Sequence, residues 1–412
     1  MALNKPEPKG YTFFGPEPKF ADVPYAEWKA RMDRTKKLMR ENNVDLLVIM
    51  KEENCRYFTG FTSIHFRPPS IQPLVALIPV DGNEILIVPD FFRGTAEGQC
   101  WIRDIREQEN PHQIKSEREH PREVAAVIRE MGYGKANIAL EKGWLGHMWI
   151  PRPLNDIQTL MSELPDANFV DGDKVIWGCR MIKSPLEIER MKYSLSVVRE
   201  AHGVVVDEFV PGMTEREVGR IVMHVFVEKG DWSIGGHIAC GREKEGMIDT
   251  AHHFDGVTIN TGDYLWLDLC VNCNGYWADN ARIFQVGSVP DRVKKGYDVM
   301  YRAFDAAVEV MKPGVRCKDV WAALAKVEKD AGIEPFEMCG HGLGMDIHEP
   351  PSLGIWDETI LEPGMTLNVE PAALGGFRRM GGDGGFHVED LVVITETGCY
   401  VIYGFSRDII SV

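Results

Sequence analysis

Residues 265–286 read LWLDLCVNCNGYWADNARIFQV, and this stretch decides the class of fold. Two apolar runs each contain one acid, Asp268 and Asp279, and we interpret them as two strands joined by a turn. Cross-strand neighbours have Cβ atoms about 5 Å apart, so the two carboxylates are expected side by side. A buried charge is costly unless it is paired or bound to a metal. The stretch therefore predicts a sheet that presents two acids together.

The chain resembles itself at an offset of 102 residues. The matches are Pro211–Gly212 with Pro313–Gly314, Gly230 with Gly332, Gly262 with Gly364, and Asp268 with Glu370. Each half is predicted to contain a Pro-Gly turn, a helix of about 15 residues that ends at glycine, and a later strand with one acid. Two generic βαβ-like units that share only turn residues are the alternative. A duplication that brings acids to a common seam is suited to surrounding two cations.

Four acids and two histidines form the candidate site. The acids lie in apolar segments: Asp268, Asp279, Glu370 and Glu389. His341 and His348 lie in the glycine-rich segment GHGLGMDIHEPP at 340–351. Taken singly, such an acid could face water on an edge strand, and a lone histidine is more often structural. Together, these side chains form a set of metal ligands that are mostly oxygen atoms with one imidazole, and this set suits two Mn²⁺, Co²⁺, Fe²⁺ or Zn²⁺ ions. Two such ions can activate water and polarise a carbonyl group. We predict hydrolytic chemistry.

Composition excludes several classes of protein. Of 412 residues, 44% are hydrophobic and 26% charged, as in globular proteins, and the net charge of −16 opposes binding to nucleic acid or to an anionic membrane. No apolar stretch of signal-peptide length follows the amino terminus and no run of 18 apolar residues occurs, so we expect a cytoplasmic protein. The nine scattered cysteines are expected to be reduced thiols.

The first part of the chain is predicted to be a smaller α/β domain. The predicted elements, in order, are an extended arm at 1–20, a helix at 25–43, a strand at 44–50, a hairpin of 74–80 and 84–88, a helix at 122–131 and a strand at 136–141. Ser184, Pro185 and Glu187 then form the pattern of a capping box with proline at the first helical position. We therefore divide the chain into domains 1–177 and 178–412, in an α/β (α+β) architecture.

These motifs resemble one known family. The spacing from Asp268 to Asp279, the segment at 340–351, LEPGMTLNVEP at 361–371 and HVEDLVV at 387–393 resemble the creatinase/prolidase/aminopeptidase P family, which has the pita-bread fold. VDLLVIMKEENCRYFTGF at 44–61 resembles that family's accessory domain. The resemblance covers nearly the whole chain. It implies a homodimer and two divalent ions, with manganese first among the candidates.

The resemblance also implies roles. Asp279 and Glu389 would bridge the two metal ions. Asp268 would complete the coordination of one ion, and His341 and Glu370 would coordinate the other, with Glu370 also assisting proton transfer. All five ligand types are present, which argues against a creatinase proper.

Three further histidines are assigned to the substrate by the resemblance. His348 would hydrogen-bond near the scissile bond, and His252 or its neighbour His253 would stand before the first ligand, with His252 preferred. At His387 the family peptidases commonly carry arginine, which grips a carboxylate in bidentate fashion. Four arginines are possible replacements, although each could be a plain surface residue: Arg378, Arg379, Arg67 and Arg152.

Two further patterns are weak. Cys270 and Cys273 form a CxxC that we place in the turn between the two strands and expect to be without function, because no second CxxC exists. His237 and Cys240 are expected to line the pocket or simply to pack.

Three functions follow in order of preference. The first is a dinuclear metallohydrolase that cleaves an Xaa-Pro dipeptide or short peptide with a metal-bridged hydroxide. The second keeps the fold and metals but acts on a small non-peptide molecule, as creatinase, ectoine hydrolase or dimethylsulfoniopropionate lyase do. The third is a pita-bread binding module without catalysis, although such modules usually lose ligands and this chain has kept them all.

Overall fold

The computed structural model describes residues 18–63, 74–108, 119–143, 153–230, 234–242, 246–247, 257–374 and 385–412. The chain separates into two compact units, Met1–Cys179 and Arg180–Val412. The domain division 1–177 and 178–412 stays a proposal. The predicted arm at 1–20 lies almost wholly outside the described residues.

The first unit is built around one mixed sheet. Its helices are α1 (Tyr25–Glu41), α2 (Glu52–Thr59), α3 (Arg93–Gln99), α4 (Glu119–Glu130), α5 (Leu154–Glu163) and α6 (Asp173–Arg180), the last of which ends on the first residue of the second unit. Its strands are β1 (Leu46–Ile49), β2 (Val75–Pro79), β3 (Ile85–Val88), β4 (Asp104–Glu107), β5 (Asn137–Leu140) and β6 (Asn168–Asp171). The sheet order is β4-β3-β2-β1-β5-β6, with β2 and β3 as the predicted antiparallel hairpin.

Burial explains why these segments form a sheet. Each residue of β1, β2 and β3 is buried, as continuous apolar runs in a covered strand should be. Leu46 and Val48 of β1 belong to a core cluster with Val124 and Ile128 of α4. The predicted helices and strands of this unit are confirmed, with ends that differ by a few residues.

In its described residues the second unit contains two five-stranded sheets and four helices. The helices are α7 (Pro185–Glu208), α8 (Glu215–Lys229), α9 (Asp291–Val310) and α10 (Cys317–Asp330). The strands are β7 (Ile234–Arg242), β8 (Gly246–Met247), β9 (Tyr264–Cys273), β10 (Tyr276–Gln285), β11 (Met338–Gly342), β12 (Glu349–Gly354), β13 (Thr366–Val369), β14 (Ala372–Leu374), β15 (Gly385–His387), β16 (Asp390–Ile394), β17 (Cys399–Ile402) and β18 (Ile410–Ser411). The sheet orders are β18-β10-β9-β7-β8 and β12-β11-β13-β16-β17, and β14 pairs with β15.

The predicted start of α7 is confirmed by its capping box. The Glu187 amide donates to Ser184 Oγ at 3.3 Å, and the Ser184 amide donates to Glu187 Oε2 at 2.9 Å. Pro185 occupies the first helical position, where its missing N–H leaves no bond unmade.

The internal repeat is present in the backbone hydrogen bonds. The Gly212 amide donates to the Ile259 carbonyl at 2.7 Å, and 102 residues later the Gly314 amide donates to the Leu361 carbonyl at 2.9 Å. Two further pairs repeat at this offset: Ile259 to Met213 with Leu361 to Val315, and Glu215 to Val257 with Cys317 to Thr359. Shared turn residues alone would not reproduce three such bonds, so the duplication is structural.

One matched glycine pair differs between the halves. Gly332 adopts φ of 78°, the left-handed value expected after a helix, whereas Gly230 has φ of −94°. A Cβ at Gly230 would lie 2.7 Å from Val271 Cγ2, so close packing against β9 explains this glycine. Among the described residues, no helix is long and apolar enough to cross a membrane.

Candidate active site

Asp268 and Asp279 lie on one face of the β9–β10 hairpin. Asn274 and Gly275 form its turn with φ of 54° and 83°, which is the Asn-Gly pattern of a tight hairpin. The turn sets a register in which Asp268 faces Ala281, so that Asp279 is a diagonal neighbour of Asp268 two positions away. The two residues are not directly opposite in the ladder, but one ligand atom of each lies within 4.8 Å of the other's, so the two carboxylates do lie side by side.

The second sheet brings His341, Glu370 and Glu389 together. His341 on β11 pairs with Asn368 of β13, and the pairing of Val369 with Asp390 places Glu370 and Glu389 next to each other just beyond the ladder. Glycines allow the close approach of these strands, because a Cβ at Gly340 would lie 2.3 Å from the Asn368 carbonyl oxygen.

The imidazole of His341 points at three carboxylates. Its Nε2 atom lies 3.6 Å from Glu370 Oε1, 3.8 Å from Asp279 Oδ2 and 3.9 Å from Glu389 Oε1. Its Nδ1 atom lies 3.0 Å from the Gly342 carbonyl oxygen, which can only accept, so Nδ1 carries a proton; in the neutral ring the lone pair that a cation requires is then on Nε2. Two ligands of one ion are about 3 to 3.5 Å apart at ordinary bond lengths, so these atoms lie close to ligand spacing.

The acids repel one another strongly in this arrangement. Burial raises the pKa of Asp279 and of Glu389 well above the ordinary values, and the neighbouring carboxylates raise both further. Burial also raises the pKa of Asp268, against the opposing effects of His387 and His237. For Glu370, burial is outweighed by His387 and His341, so its pKa lies below the ordinary value. Four acids held together at this cost indicate a site for cations.

The donor set fits divalent cations. Glu389 Oε2 is buried and has no hydrogen-bond partner among the described residues, while Glu389 Oε1 accepts from Asn368 Nδ2 at 2.7 Å. An unpartnered carboxylate oxygen in a cluster of acids is a suitable ligand for a hard or borderline ion. Three groups of side chains have ligand atoms within 4.8 Å of one another: Asp268–Cys270–Asp279, Asp279–His341–His348 and His341–Glu370–Glu389.

His348 joins this cluster, whereas several other predicted substrate residues lie outside the described residues. The His341 and His348 rings have centroids 4.0 Å apart, and His348 is exposed, as a residue that meets substrate should be. His252 and its neighbour His253 lie outside the described residues. The same holds for the four candidate arginines: Arg67, Arg152, Arg378 and Arg379.

His387 lies between an indole and a carboxylate. Trp266 Nε1 donates to His387 Nδ1 at 3.2 Å, and His387 Nε2 lies 3.5 Å from Glu370 Oε2. Trp266 also stacks on His237, with ring centroids 5.3 Å apart and planes tilted by 7°. The sequence interpretation missed Trp266, although its position two residues before Asp268 on β9 signals the same face.

The position of Cys270 corrects the interpretation of the CxxC motif. Cys270 and Cys273 both lie within β9, not in the turn. Cys270 pairs with Asp279 and its thiol donates to Asp279 Oδ1 at 3.1 Å. Asn368, which holds Glu389, was also missed; it lies two residues before Glu370, and an amide inside an apolar strand was the available signal.

Comparison with known proteins gives consistent relatives. Residues 189–396 match the metallopeptidase family M24, and residues 31–182 match the creatinase/prolidase N-terminal domain. The Xaa-Pro dipeptidase of Pyrococcus furiosus is 26% identical over 394 residues, covering 93% of this chain and 100% of that protein. The ectoine hydrolase of Halomonas elongata is 24% identical over 404 residues, covering 93% and 96%.

Two further matches extend this picture. The probable dipeptidase PepE of Mycobacterium tuberculosis is 28% identical over 236 residues, which span 57% of this chain and only 61% of that relative. The crystal structure of a prolidase from Thermococcus sibiricus superimposes with a TM-score of 0.79 at 21% identity, covering 93% of this chain and 99% of the other. The predicted pita-bread fold with a creatinase-type amino-terminal domain is therefore confirmed.

Proposed function

Because the chain belongs to the metallopeptidase family M24, we propose that it is a two-cation peptidase that cleaves Xaa-Pro dipeptides or short Xaa-Pro peptides. Membership supports the prediction of a hydrolytic metalloenzyme and implies divalent ions. The observation that supports the finer proposal is the convergence of three carboxylate oxygens on His341 Nε2, at 3.6 to 3.9 Å. The supporting relatives include the Xaa-Pro dipeptidase, which matches along its whole length.

Five side chains would hold the cations: Asp268, Asp279, His341, Glu370 and Glu389. The bound ions would supply Lewis acidity toward the carbonyl oxygen of the scissile amide. In this proposal Glu370, which its lowered pKa keeps ionised and which is partly exposed, takes a proton from the attacking water and passes it to the leaving nitrogen. His348, exposed beside His341, donates a hydrogen bond to the substrate carbonyl.

The test is hydrolysis by the full chain after metal removal and reloading with Mn²⁺ or Co²⁺. Gly-Pro, Ala-Pro and a longer Xaa-Pro peptide are the substrates, and release of the amino acid is the measurement. We expect Asp279→Asn and Glu389→Gln to lose activity by orders of magnitude, while the exposed control Glu396→Gln keeps it. No hydrolysis of any of the three peptides by the loaded protein would refute the peptidase proposal.

A small non-peptide substrate is the second candidate. The similarity to the ectoine hydrolase, which extends over 93% of this chain, supports this candidate. His387 also supports it, because the peptidases that this chain resembles commonly carry arginine at that position. An imidazole is shorter than a guanidinium and cannot grip a carboxylate in bidentate fashion. Ectoine, creatine and dimethylsulfoniopropionate therefore belong in the same assay, and turnover of one of them without peptide hydrolysis would select this candidate.

The finer properties stay proposals from the sequence. Manganese as the native ion is tested by elemental analysis of protein purified without added metal. A homodimer is tested by light scattering, and the cytoplasmic location by fractionation.

A further inference from the structure

We propose that His387 is a positioning residue that orients the Glu370 carboxylate through its Nε2–H, and that Trp266 fixes the imidazole tautomer that makes this contact possible. The inference rests on the proposed role of Glu370 as a cation ligand, and it adds the side chains that aim this ligand.

The indole determines the tautomer. Trp266 Nε1 lies 3.2 Å from His387 Nδ1, and an indole nitrogen can only donate. Nδ1 must therefore accept, which requires that it carry no proton, and the neutral ring then has its proton on Nε2. Both side chains are almost fully buried, at 4% and 3% exposure, so water does not compete for this bond.

The proton on Nε2 points toward the Glu370 carboxylate. His387 Nε2 lies 3.5 Å from Glu370 Oε2 and, among the described residues, makes no standard hydrogen bond. A shift of the carboxylate by about 0.5 Å gives an ordinary N–H···O length. Without this acceptor a buried donor would be unsatisfied, which is costly.

The two oxygens of Glu370 then have separate tasks. Oε1 lies 3.6 Å from His341 Nε2, on the side where the ligand atoms converge, and Oε2 faces His387. A hydrogen bond to Oε2 leaves Oε1 aimed at the cation. Outer hydrogen bonds of this kind commonly change metal affinity or activity about 10- to 100-fold.

The sheet restrains Trp266 in turn. It lies on β9 two residues before Asp268, on the same face, and its ring is stacked on His237 of the neighbouring β7. His387 ends β15 and pairs with Ala372 of β14. The contact thus joins a strand of the first half of the repeat to one of the second half.

Two amide variants of His387 test the proposal. In His387→Gln the side-chain nitrogen occupies the place of Nε2 and still reaches Glu370. In His387→Asn the amide oxygen can take the place of Nδ1 and accept from Trp266, but the shorter side chain puts no donor within reach of Glu370. Calorimetric titration of the metal-depleted full chain with Mn²⁺ is the measurement. We expect His387→Asn to bind Mn²⁺ about 10- to 100-fold more weakly than the parent, and His387→Gln to stay within about threefold of it.

A spectroscopic measurement gives a second, independent readout. In ¹⁵N-histidine-labelled parent protein, NMR should show the His387 Nδ1 unprotonated and Nε2 protonated, and Trp266→Phe should give a mixture of both tautomers. A protonated Nδ1 in the parent overturns the proposal even if a variant fails to fold. Equal Mn²⁺ affinity of His387→Asn and the parent also overturns it.

Glu370→Gln separates this inference from the proposed function. If that variant weakens Mn²⁺ binding and His387→Asn does not, only the positioning role fails. If Glu370→Gln binds Mn²⁺ as tightly as the parent, the ligand assignment itself fails.

Discussion

Glu328 on α10 is a buried acid without a hydrogen-bond partner among the described residues. Its side chain is 0% exposed and neither carboxylate oxygen is bonded. It lies close enough to Cys339, the neighbour of Gly340 on β11, to raise the pKa of that thiol further. Burial raises the pKa of Glu328 from 4.5 to about 8. The acid is therefore protonated in the folded protein at neutral pH and ionised once the chain unfolds.

The sign and size of the effect follow from this difference. Because the folded pKa is raised, Glu328 costs stability as the pH rises above 4.5, and the cost stops growing above 8. At 1.36 kcal/mol per pH unit, the cost is about 1 kcal/mol at pH 5.5 and about 4 kcal/mol at pH 8. Glutamine matches the shape of the protonated acid and does not ionise. Glu328→Gln should therefore raise the free energy of unfolding by about 3 kcal/mol more at pH 8 than at pH 5.5.

Urea unfolding of the metal-depleted parent and variant at both pH values measures this difference. The exposed neighbour Glu334 supplies the matched control, Glu334→Gln, which should change the free energy of unfolding by less than about 0.5 kcal/mol at either pH. Subtraction of parent from variant removes the contributions of the acid cluster, which both proteins share. A gain that is the same at pH 5.5 and pH 8 would refute the reasoning, because a packing change is independent of pH.

Three further perturbations have defined outcomes. Asp279→Asn should raise the melting temperature of the metal-depleted protein, because burial and neighbouring acids raise the pKa of Asp279 and asparagine carries no charge. The same variant should lose the further rise in melting temperature that Mn²⁺ gives the parent, and a rise as large as that of the parent would contradict the ligand role. Lys183→Met should lower the free energy of unfolding in urea by about 3 to 5 kcal/mol, because Lys183 Nζ lies 2.8 Å from Glu349 Oε2 in a buried group of charges that includes Arg180. A decrease of less than about 1 kcal/mol would contradict this prediction. His202→Phe should reduce acid sensitivity, because burial and Arg282 lower the pKa of His202 to about 3 and the parent therefore loses about 2 to 3 kcal/mol between pH 7 and pH 4.5 as the unfolded chain binds a proton. Equal losses in parent and variant would exclude this cause.

Much of the fold could be predicted because its signals are local. The capping box at Ser184 is confirmed, and so are the hairpin of β2 and β3 and the repeat at 102 residues. Each depends on residues within a few positions of one another, or on a pattern copied by duplication. The four acids of the site were identifiable for a similar reason, since a charged group inside an apolar strand is costly without a partner.

The main error concerns the CxxC motif. Its predicted place in the turn is wrong because the turn consists only of Asn274 and Gly275, which leaves Cys270 and Cys273 within β9. A two-residue turn determines every pair in the ladder, so a shift of the turn changes which side chains meet.

The amino-acid sequence by itself determined the class of fold, the duplicated halves and the residue types able to bind cations, because periodicity, capping and charge in apolar segments act over short stretches of chain. Only the tertiary structure decided which oxygen of Glu370 faces His341 and which faces His387, and that Trp266 donates to a ring 121 positions away. Such contacts depend on side-chain directions across two sheets, which no local pattern specifies. The same packing left the Glu328 carboxyl group without a hydrogen-bond partner among the described residues.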